Sequence, residues 1–187
     1  MEITATEIPD VLLIRPDVHR DGRGYFMETW NAERYRQAGL PAVFVQDNLS
    51  FSRQGVLRGL HYQHPVAQGK LVQVLVGEVF DVAVDIRRGS PTFGRWVGRR
   101  LSGDNHLQLY IPEGFAHGFC VLSPCALLAY KCTAPYDPEG QAGVCWQDPE
   151  LAIEWPVAVP LLSEADRSYP ALRQVPVTRL PRYGGAP

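Results

Sequence analysis

The sequence predicts one all-β domain of the sandwich or jelly-roll type. Its 17 glycines and 16 prolines are spread along the whole chain, and short runs rich in Val, Ile, Leu, Phe and Tyr lie between them. Short β-rich runs separated by turn residues are typical of these folds. Jelly rolls often hold a ligand between their strands, so polar side chains on otherwise apolar strands become the candidates for function.

The β-rich runs define the predicted strands in chain order. Each run is bounded by glycine, proline or polar turn residues. A tight turn is expected at Gly77, between two such runs. The predicted strands lie near residues 11–15, 43–51, 56–63, 70–76, 78–87, 95–101, 108–111, 117–122, 126–132 and 143–146.

Two segments predict helices. Asn31 is a suitable N-cap for a helix over residues 32–38, and Gly39 and Pro41 end it. A shorter helical turn is expected from Ser163, which resembles the start of a capping box. The domain is expected to cover residues 1–187, with a core over 5–172 and a loosely held tail over 173–187.

Composition limits the classes of function. The 187-residue chain has a net charge of −2 and a sequence pI of about 6.2, which argues against nucleic-acid and membrane-surface partners. The start of the chain does not resemble a signal peptide, and no apolar run is long enough to span a membrane, so a cytoplasmic location is expected. The cysteines lack Cys-x-x-Cys spacing and are expected to be free thiols: Cys120, Cys125, Cys132 and Cys145.

The predicted strand 56–63 carries two polar side chains among apolar neighbours. Strict alternation places His61 on one face and Arg58 on the other. Both reach one cavity only if the strand bulges or twists, which Gly59 permits. The alternative is a surface arginine and an ordinary partnered histidine.

The next two predicted strands add further polar positions. Lys70 opens an apolar strand, where its side chain either extends into water or offers a cation inside the fold. In the following strand Phe80, Val82, Val84 and Ile86 form an apolar face. The opposite face carries Asp81 and Asp85, and is either solvated or lines a polar cavity.

A Pro-x-Gly-x-x-His sequence, Pro112 to His117, matches the core of the second cupin motif, in which the histidine usually binds a metal. The first cupin motif requires His-x-His, a glutamate and a later glycine. Gly77 is in place, but Lys70 occupies the glutamate position, and His61 and His64 are three residues apart. An ammonium has no lone pair for a metal, so the pattern favours acid–base chemistry over metal chemistry.

Several ordered motifs together resemble the dTDP-4-dehydrorhamnose 3,5-epimerase family over about residues 5–172. The resemblance implies a cupin-type jelly-roll β-barrel, or double-stranded β-helix, with a few short helices. It also implies a homodimer that uses no metal and no cofactor and converts dTDP-4-dehydro-6-deoxy-D-glucose to dTDP-4-dehydro-L-rhamnose. The motifs are residues 21–26, 44–48, 56–61, 77–87, 111–119, 136–138 and 162–166.

The resemblance also implies roles for individual residues. His61 is the base, paired with Asp166; Tyr130 is the acid on the opposite face; and Lys70 holds the C4 oxygen of the substrate. Tyr136 stacks on thymine, and the other implied substrate-binding positions are Arg23, Phe26, Glu28, Gln46, Asn48, Arg58, His117 and Gln141. Gln141 and Ala165 depart from the family pattern, in which Glu and Lys or Arg are common, and both departures concern nucleotide contacts.

The side chains suit this chemistry. A C–H bond beside a ketone ionises only if the resulting oxyanion is stabilised, as a lysine ammonium can do. Neutral histidine is a general base near neutral pH.

Taken singly, Tyr130 could be a strand tyrosine, Asp166 a helix-capping residue and His117 a core histidine. The rival functions are a 3- or 5-mono-epimerase, a 3,4-ketoisomerase, a non-catalytic sugar-nucleotide-binding cupin and, more remotely, a metal-dependent cupin.

Overall fold

A computed structural model describes residues 1–41 and 43–184, and within these ranges the chain forms the predicted all-β jelly roll. Residues 185–187 of the predicted tail lie outside the described part. The strands are β1 (Glu2–Ala5), β2 (Leu12–Arg15), β3 (Val18–Asp21), β4 (Gly24–Met27), β5 (Gln46–Arg53), β6 (Leu57–Gln63), β7 (Lys70–Val76), β8 (Glu78–Asp85), β9 (Trp96–Ser102), β10 (Gln108–Ile111), β11 (Phe115–Val121), β12 (Cys125–Cys132) and β13 (Gln141–Gly143).

The helices are short. Helix α1 (Ala32–Gln37) begins at the predicted N-cap, where the Asn31 side chain accepts a hydrogen bond from the backbone of Arg34. Helix α2 (Glu164–Ser168) begins after Ser163, also as predicted. Two 3₁₀ turns follow, Leu172–Gln174 and Val177–Arg179. No helix in the described ranges is both long and apolar enough to cross a membrane.

Two antiparallel sheets form the jelly roll. One has the order β1-β2-β10-β7-β12-β5, the other the order β13-β6-β11-β8-β9, and a separate hairpin pairs β3 with β4. The main core lies between the two large sheets and draws on both, for example through Val72 and Leu128 from the first and Ala83 and Phe119 from the second. The packing follows from strands that alternate inward and outward side chains.

The outer faces of the sheets are covered unequally. The apolar face of β8 packs under the C-terminal part of the chain, where Leu172, Val175 and Leu180 are buried. The expectation of a loosely held tail was therefore wrong as far as residue 184. The backbone of Arg88 donates to Pro181 and accepts from Tyr183, which attaches the tail to the end of the second sheet.

The cover over the first sheet is only partial. Helix α1 places Tyr35 on Leu71 and Tyr110 of its outer face. Beyond this helix, Leu49, Phe51 and Leu75 remain 64%, 61% and 39% exposed. All four cysteines are free thiols, and Cys120 and Cys132 are buried.

Candidate active site

A cleft of about 560 Å³ opens between the two large sheets. Strands of both sheets contribute polar side chains to it, which is how a jelly roll assembles a site from residues distant in sequence. The predicted site residues that line it are Gln46, Asn48, Arg58, His61, Lys70, His117, Tyr130, Tyr136 and Gln141.

A bulge in β6 brings His61 and Arg58 into the same cleft. His61 pairs with His117 of β11, but Arg58 pairs with Phe119, so three steps along β6 match two along β11. Gly59 lies within this irregularity at φ +134°, and a Cβ there would meet the Gly118 Cα at 2.5 Å. The glycine therefore permits the bulge that the sequence required for both side chains to share one cavity.

His61 and Asp166 form a hydrogen-bonded dyad. The His61 Nε2 lies 2.5 Å from Asp166 Oδ1, and the Ser163 hydroxyl donates to the other carboxylate oxygen at 2.7 Å. Asp166 is 4% exposed. Burial opposes its ionisation, but the hydrogen bonds from His61 and Ser163 outweigh that effect and lower the pKa of Asp166. A buried carboxylate in this position orients the imidazole and stabilises its protonated form.

Lys70 is buried at the beginning of β7 and faces the cleft. Within residues 1–41 and 43–184 its ammonium has neither a hydrogen-bond nor an ion-pair partner. Burial lowers the pKa of Lys70, while Cys132, Asp81 and Glu113 oppose that shift. The Lys70 side chain is therefore held inside the fold, where it lines the cleft, and it does not extend into water.

Tyr130 lines the same cleft from β12 and is half-buried. In the described part of the chain its hydroxyl has no hydrogen-bond partner. Burial raises the pKa of Tyr130, and the nearby Arg58 guanidinium works in the opposite direction. The phenol is therefore protonated at neutral pH and able to donate a proton.

A second histidine–carboxylate pair stands beside the first. His117 Nε2 lies 3.0 and 2.9 Å from the two carboxylate oxygens of Asp81, which is fully buried. Prediction of the site from the sequence missed Asp81. The alternating pattern of β8 had placed it on a polar face without deciding where that face pointed, and the face points inward.

The mouth of the cleft is built from amide side chains and a loop. Gln46 donates to Asn48 at 2.9 Å and accepts from the backbone of Tyr136 at 2.8 Å. The Tyr136 hydroxyl donates to Gln141 at 2.5 Å. The buried Gln63, which the sequence did not single out, accepts from the backbone of Asp137 and fixes the same loop.

The family model described as dTDP-4-dehydrorhamnose 3,5-epimerase matches residues 5–174. The chain belongs to the dTDP-4-dehydrorhamnose 3,5-epimerase family. It is thus an isomerase of the carbohydrate-epimerase class.

Named relatives and a solved structure agree with this membership. A dTDP-4-dehydrorhamnose 3,5-epimerase of Shigella flexneri is 58% identical over 89% of this chain and 93% of its own length. One of Neisseria gonorrhoeae is 56% identical over 89% of this chain, which spans about half, 51%, of that relative. The crystal structure of dTDP-6-deoxy-D-glucose-3,5-epimerase from Legionella pneumophila, in complex with dTDP-4-keto-L-rhamnose, is 52% identical, with a TM-score of 0.96. The match covers 98% of this chain and 99% of that one.

Three positions that the epimerase family resemblance implies for substrate binding lie outside the cleft of this chain. Arg23 and Phe26 are on the β3–β4 hairpin, where the Arg23 side chain is 92% exposed and pairs with Asp21, and Phe26 is 73% exposed. Glu28 follows the hairpin and pairs with Arg34. Their role in binding stays a prediction.

Among the described residues, no three His, Cys, Asp or Glu side chains come together as a metal site would require. The cation of the cleft is instead supplied by Lys70, at the position where the cupin pattern has a glutamate ligand. The cleft of this epimerase-family chain therefore brings together an imidazole, a phenol and a lysine side chain.

Proposed function

We propose that the chain converts dTDP-4-dehydro-6-deoxy-D-glucose to dTDP-4-dehydro-L-rhamnose by inverting C3 and C5. Family membership and the names of its relatives support this substrate. The observation that carries the proposal is that Lys70, which has no ion-pair partner among the described residues, shares one cleft with His61 and Tyr130. Each of the three side chains supplies one part of a proton transfer beside a ketone.

In the proposed step, neutral His61 removes the proton from a carbon next to the C4 ketone. The C–H electron pair forms a carbon–carbon double bond, and the carbonyl electrons move to the C4 oxygen. Lys70 stabilises the resulting enolate oxygen. Tyr130 then donates its proton to the same carbon from the opposite face and inverts the configuration. C3 and C5 both flank C4, so one set of groups serves both carbons, and proton exchange with solvent restores His61 and Tyr130.

The nucleotide is proposed to lie toward the mouth of the cleft. Arg58 is exposed there and donates to Ser52 at 3.0 Å, which leaves other guanidinium N–H groups for diphosphate oxygens. Tyr136 is 54% exposed and offers a flat surface for thymine. Gln46, Asn48, His117 and Gln141 supply the remaining polar contacts in this proposal.

Solvent-exchange NMR in deuterated water with the 4-dehydro substrate tests the function. Deuterium at both C3 and C5 supports the double epimerase, while deuterium at one carbon identifies a mono-epimerase. A ketone that moves to C3 identifies a 3,4-ketoisomerase. If the protein binds dTDP but exchanges deuterium at neither carbon, it is a non-catalytic sugar-nucleotide-binding cupin. His61→Asn is the matched control for exchange that the enzyme does not catalyse.

We also propose a homodimer. The outer face of the six-stranded sheet exposes three large apolar side chains, Leu49, Phe51 and Leu75. Monomeric proteins rarely leave an apolar face of this kind uncovered. In the proposed dimer the exposed β3–β4 hairpin is assigned to the partner's cleft, because Arg23, Phe26 and Glu28 lie outside the cleft of their own chain.

We propose the cytoplasm as the location, because a reducing compartment maintains free thiols such as the four of this chain.

A further inference from the structure

Tyr169 contacts His61 without lining the cleft. It is the C-cap residue of α2, the helix that carries Asp166. The rings of Tyr169 and His61 are 5.7 Å apart between centroids and inclined by 74°, an edge-to-face arrangement. One short helix thus makes two contacts with the imidazole: Asp166 accepts a hydrogen bond from it, and Tyr169, which ends the helix, makes an aromatic contact with it.

A glycine provides the space for this ring. Gly143 of β13 is the register partner of His61 in β6. A Cβ on Gly143 would meet three ring carbons of Tyr169 at 2.5, 2.5 and 2.6 Å. Any other residue opposite His61 would therefore displace the tyrosine ring, and with it the edge-to-face contact.

Strand β13 also reaches the mouth of the cleft. Gln141 lies two residues before Gly143, on the same face of β13, and accepts from the Tyr136 hydroxyl at 2.5 Å. The face of β13 that makes room for Tyr169 at Gly143 therefore also carries a side chain of the cleft mouth.

We propose that Tyr169, seated against Gly143, is a positioning residue that holds the His61 imidazole in its catalytic orientation. The inference rests on the proposed function, because it assigns Tyr169 a role in the orientation of the proposed base. The inference assigns this effect on proton removal by His61 to the aromatic ring of Tyr169 and not to its hydroxyl.

The test compares Tyr169→Leu, Tyr169→Phe and Gly143→Ala in the full chain, with Tyr183→Leu as a distant tyrosine control. Tyr183 packs on Arg87 at the attached tail and has no part in the site. Steady-state kinetics on the 4-dehydro substrate supply kcat and KM. In parallel, histidine ring NMR, with the His61 signal assigned by its loss in His61→Asn, reports the ring-current effect of Tyr169 on the imidazole without any turnover.

Tyr169→Leu and Gly143→Ala are expected to lower kcat roughly threefold to tenfold, the range for loss of one aromatic edge contact, and to shift the His61 ring signal. Tyr169→Phe, which retains the ring, is expected to keep kcat and KM within about twofold of the parent and the ring signal in place. Tyr183→Leu should match the parent in all three quantities.

Two results would overturn the inference. The first is that Tyr169→Leu has the same kcat and the same His61 ring signal as the parent. The other is an equal loss of kcat in Tyr169→Phe and Tyr169→Leu, which would give the hydroxyl a direct part in proton transfer. Failure of the proposed function is recognised separately, because the parent itself would then show no turnover, while the ring-signal comparison would still report on the contact.

Discussion

His61 and His117 are register partners on adjacent strands, and each is hydrogen-bonded to a different buried carboxylate. Asp166 approaches His61 from a helix that follows the jelly roll, whereas Asp81 approaches His117 from the neighbouring strand β8. The two imidazoles therefore have different supports. Only the Asp166 pair includes a residue that the resemblance assigns as the base.

Replacement of the proposed base and acid is expected to abolish most turnover and spare nucleotide binding. His61→Asn and Tyr130→Phe should each lower kcat by roughly 10²–10⁴-fold, the usual contribution of a positioned acid or base. Calorimetric affinity for dTDP should stay within about twofold, since neither side chain is assigned to the diphosphate or base. Unchanged kcat in both variants would rule out the assigned roles.

The two lysines of the sequence offer a matched test of the oxyanion role. Lys70 and Lys131 lie on adjacent strands of one sheet, but Lys70 faces the cleft and Lys131 pairs with Asp47 on the other face. Lys70→Met is expected to lower kcat by about 10²–10³-fold with a smaller change in KM. Lys131→Met should keep kcat near that of the parent. Equal effects of the two substitutions would contradict a specific role for the buried ammonium.

Asp85 is predicted to make folding stability dependent on pH. It is fully buried and accepts hydrogen bonds from Arg87, Ser90 and Thr92. Burial opposes its ionisation, but these donors outweigh that effect and lower the pKa of Asp85. A lowered folded-state pKa stabilises the protein above the unfolded-state pKa of about 3.9, and this stability is lost as the pH falls through the folded-state value.

Asp85→Asn should therefore lower the free energy of unfolding at pH 7 by about 2–3 kcal/mol. The difference from the parent should shrink below about pH 4. Urea unfolding at pH 7, 5 and 3.5 measures it. Asp10→Asn is the control, because Asp10 is the more exposed partner of Arg87 and should change stability by less than about 1 kcal/mol. A difference between Asp85→Asn and the parent that stays constant with pH would refute the prediction.

Gly77 and Gly89 separate steric exclusion from backbone strain. They have nearly equal φ values, +80° and +82°, but a Cβ on Gly77 would meet the Cys125 carbonyl oxygen at 2.0 Å, whereas one on Gly89 meets nothing within 4 Å. Gly89→Ala is expected to cost about 1–2 kcal/mol of stability. Gly77→Ala should cost at least about 2 kcal/mol more. Urea unfolding of both variants measures the two losses of stability. Equal unfolding midpoints would show that the positive φ, and not the steric contact of the new Cβ, determines the loss.

Much of the fold could be predicted from the sequence because buried strands leave strong patterns. The apolar face of β8 and the caps of α1 and α2 were predicted from residue order alone. The β3–β4 hairpin was missed, since its mostly exposed side chains follow no apolar alternation. The burial of Val175 and Leu180 was missed as well, because a proline-rich segment gives no periodic signal of what it packs against.

The candidate site was predicted less evenly. His61, Lys70 and Tyr130 were placed in one cavity only through the family resemblance. Alternation left open whether Arg58 joins His61 there, because that depends on the bulge that Gly59 permits. Neither Asp81 nor Tyr169 was identified. The direction of a polar strand face depends on how the sheets stack, and the contact of Tyr169 with His61 depends on a glycine on a third strand.

The proposed dimer can be tested by the mass of the protein in solution. Analytical ultracentrifugation should give about twice the chain mass of 20.9 kDa for the parent. Phe51→Asp should shift the protein toward monomer, because it places a charge on the exposed apolar face of β5. Gln54→Asp is the control for added charge, since Gln54 is exposed just beyond the same strand.

Mixed dimers test whether the hairpin acts across the interface. Arg23→Glu and His61→Asn should each be nearly inactive alone, the first without a working hairpin and the second without a base. After exchange of subunits, half of the dimers are mixed and each holds one site with both parts intact. Mixing should therefore restore roughly a quarter of the parent activity if the hairpin serves the partner's cleft. If Arg23 acts within its own chain, the mixture stays inactive, because no site then combines an intact Arg23 with an intact His61.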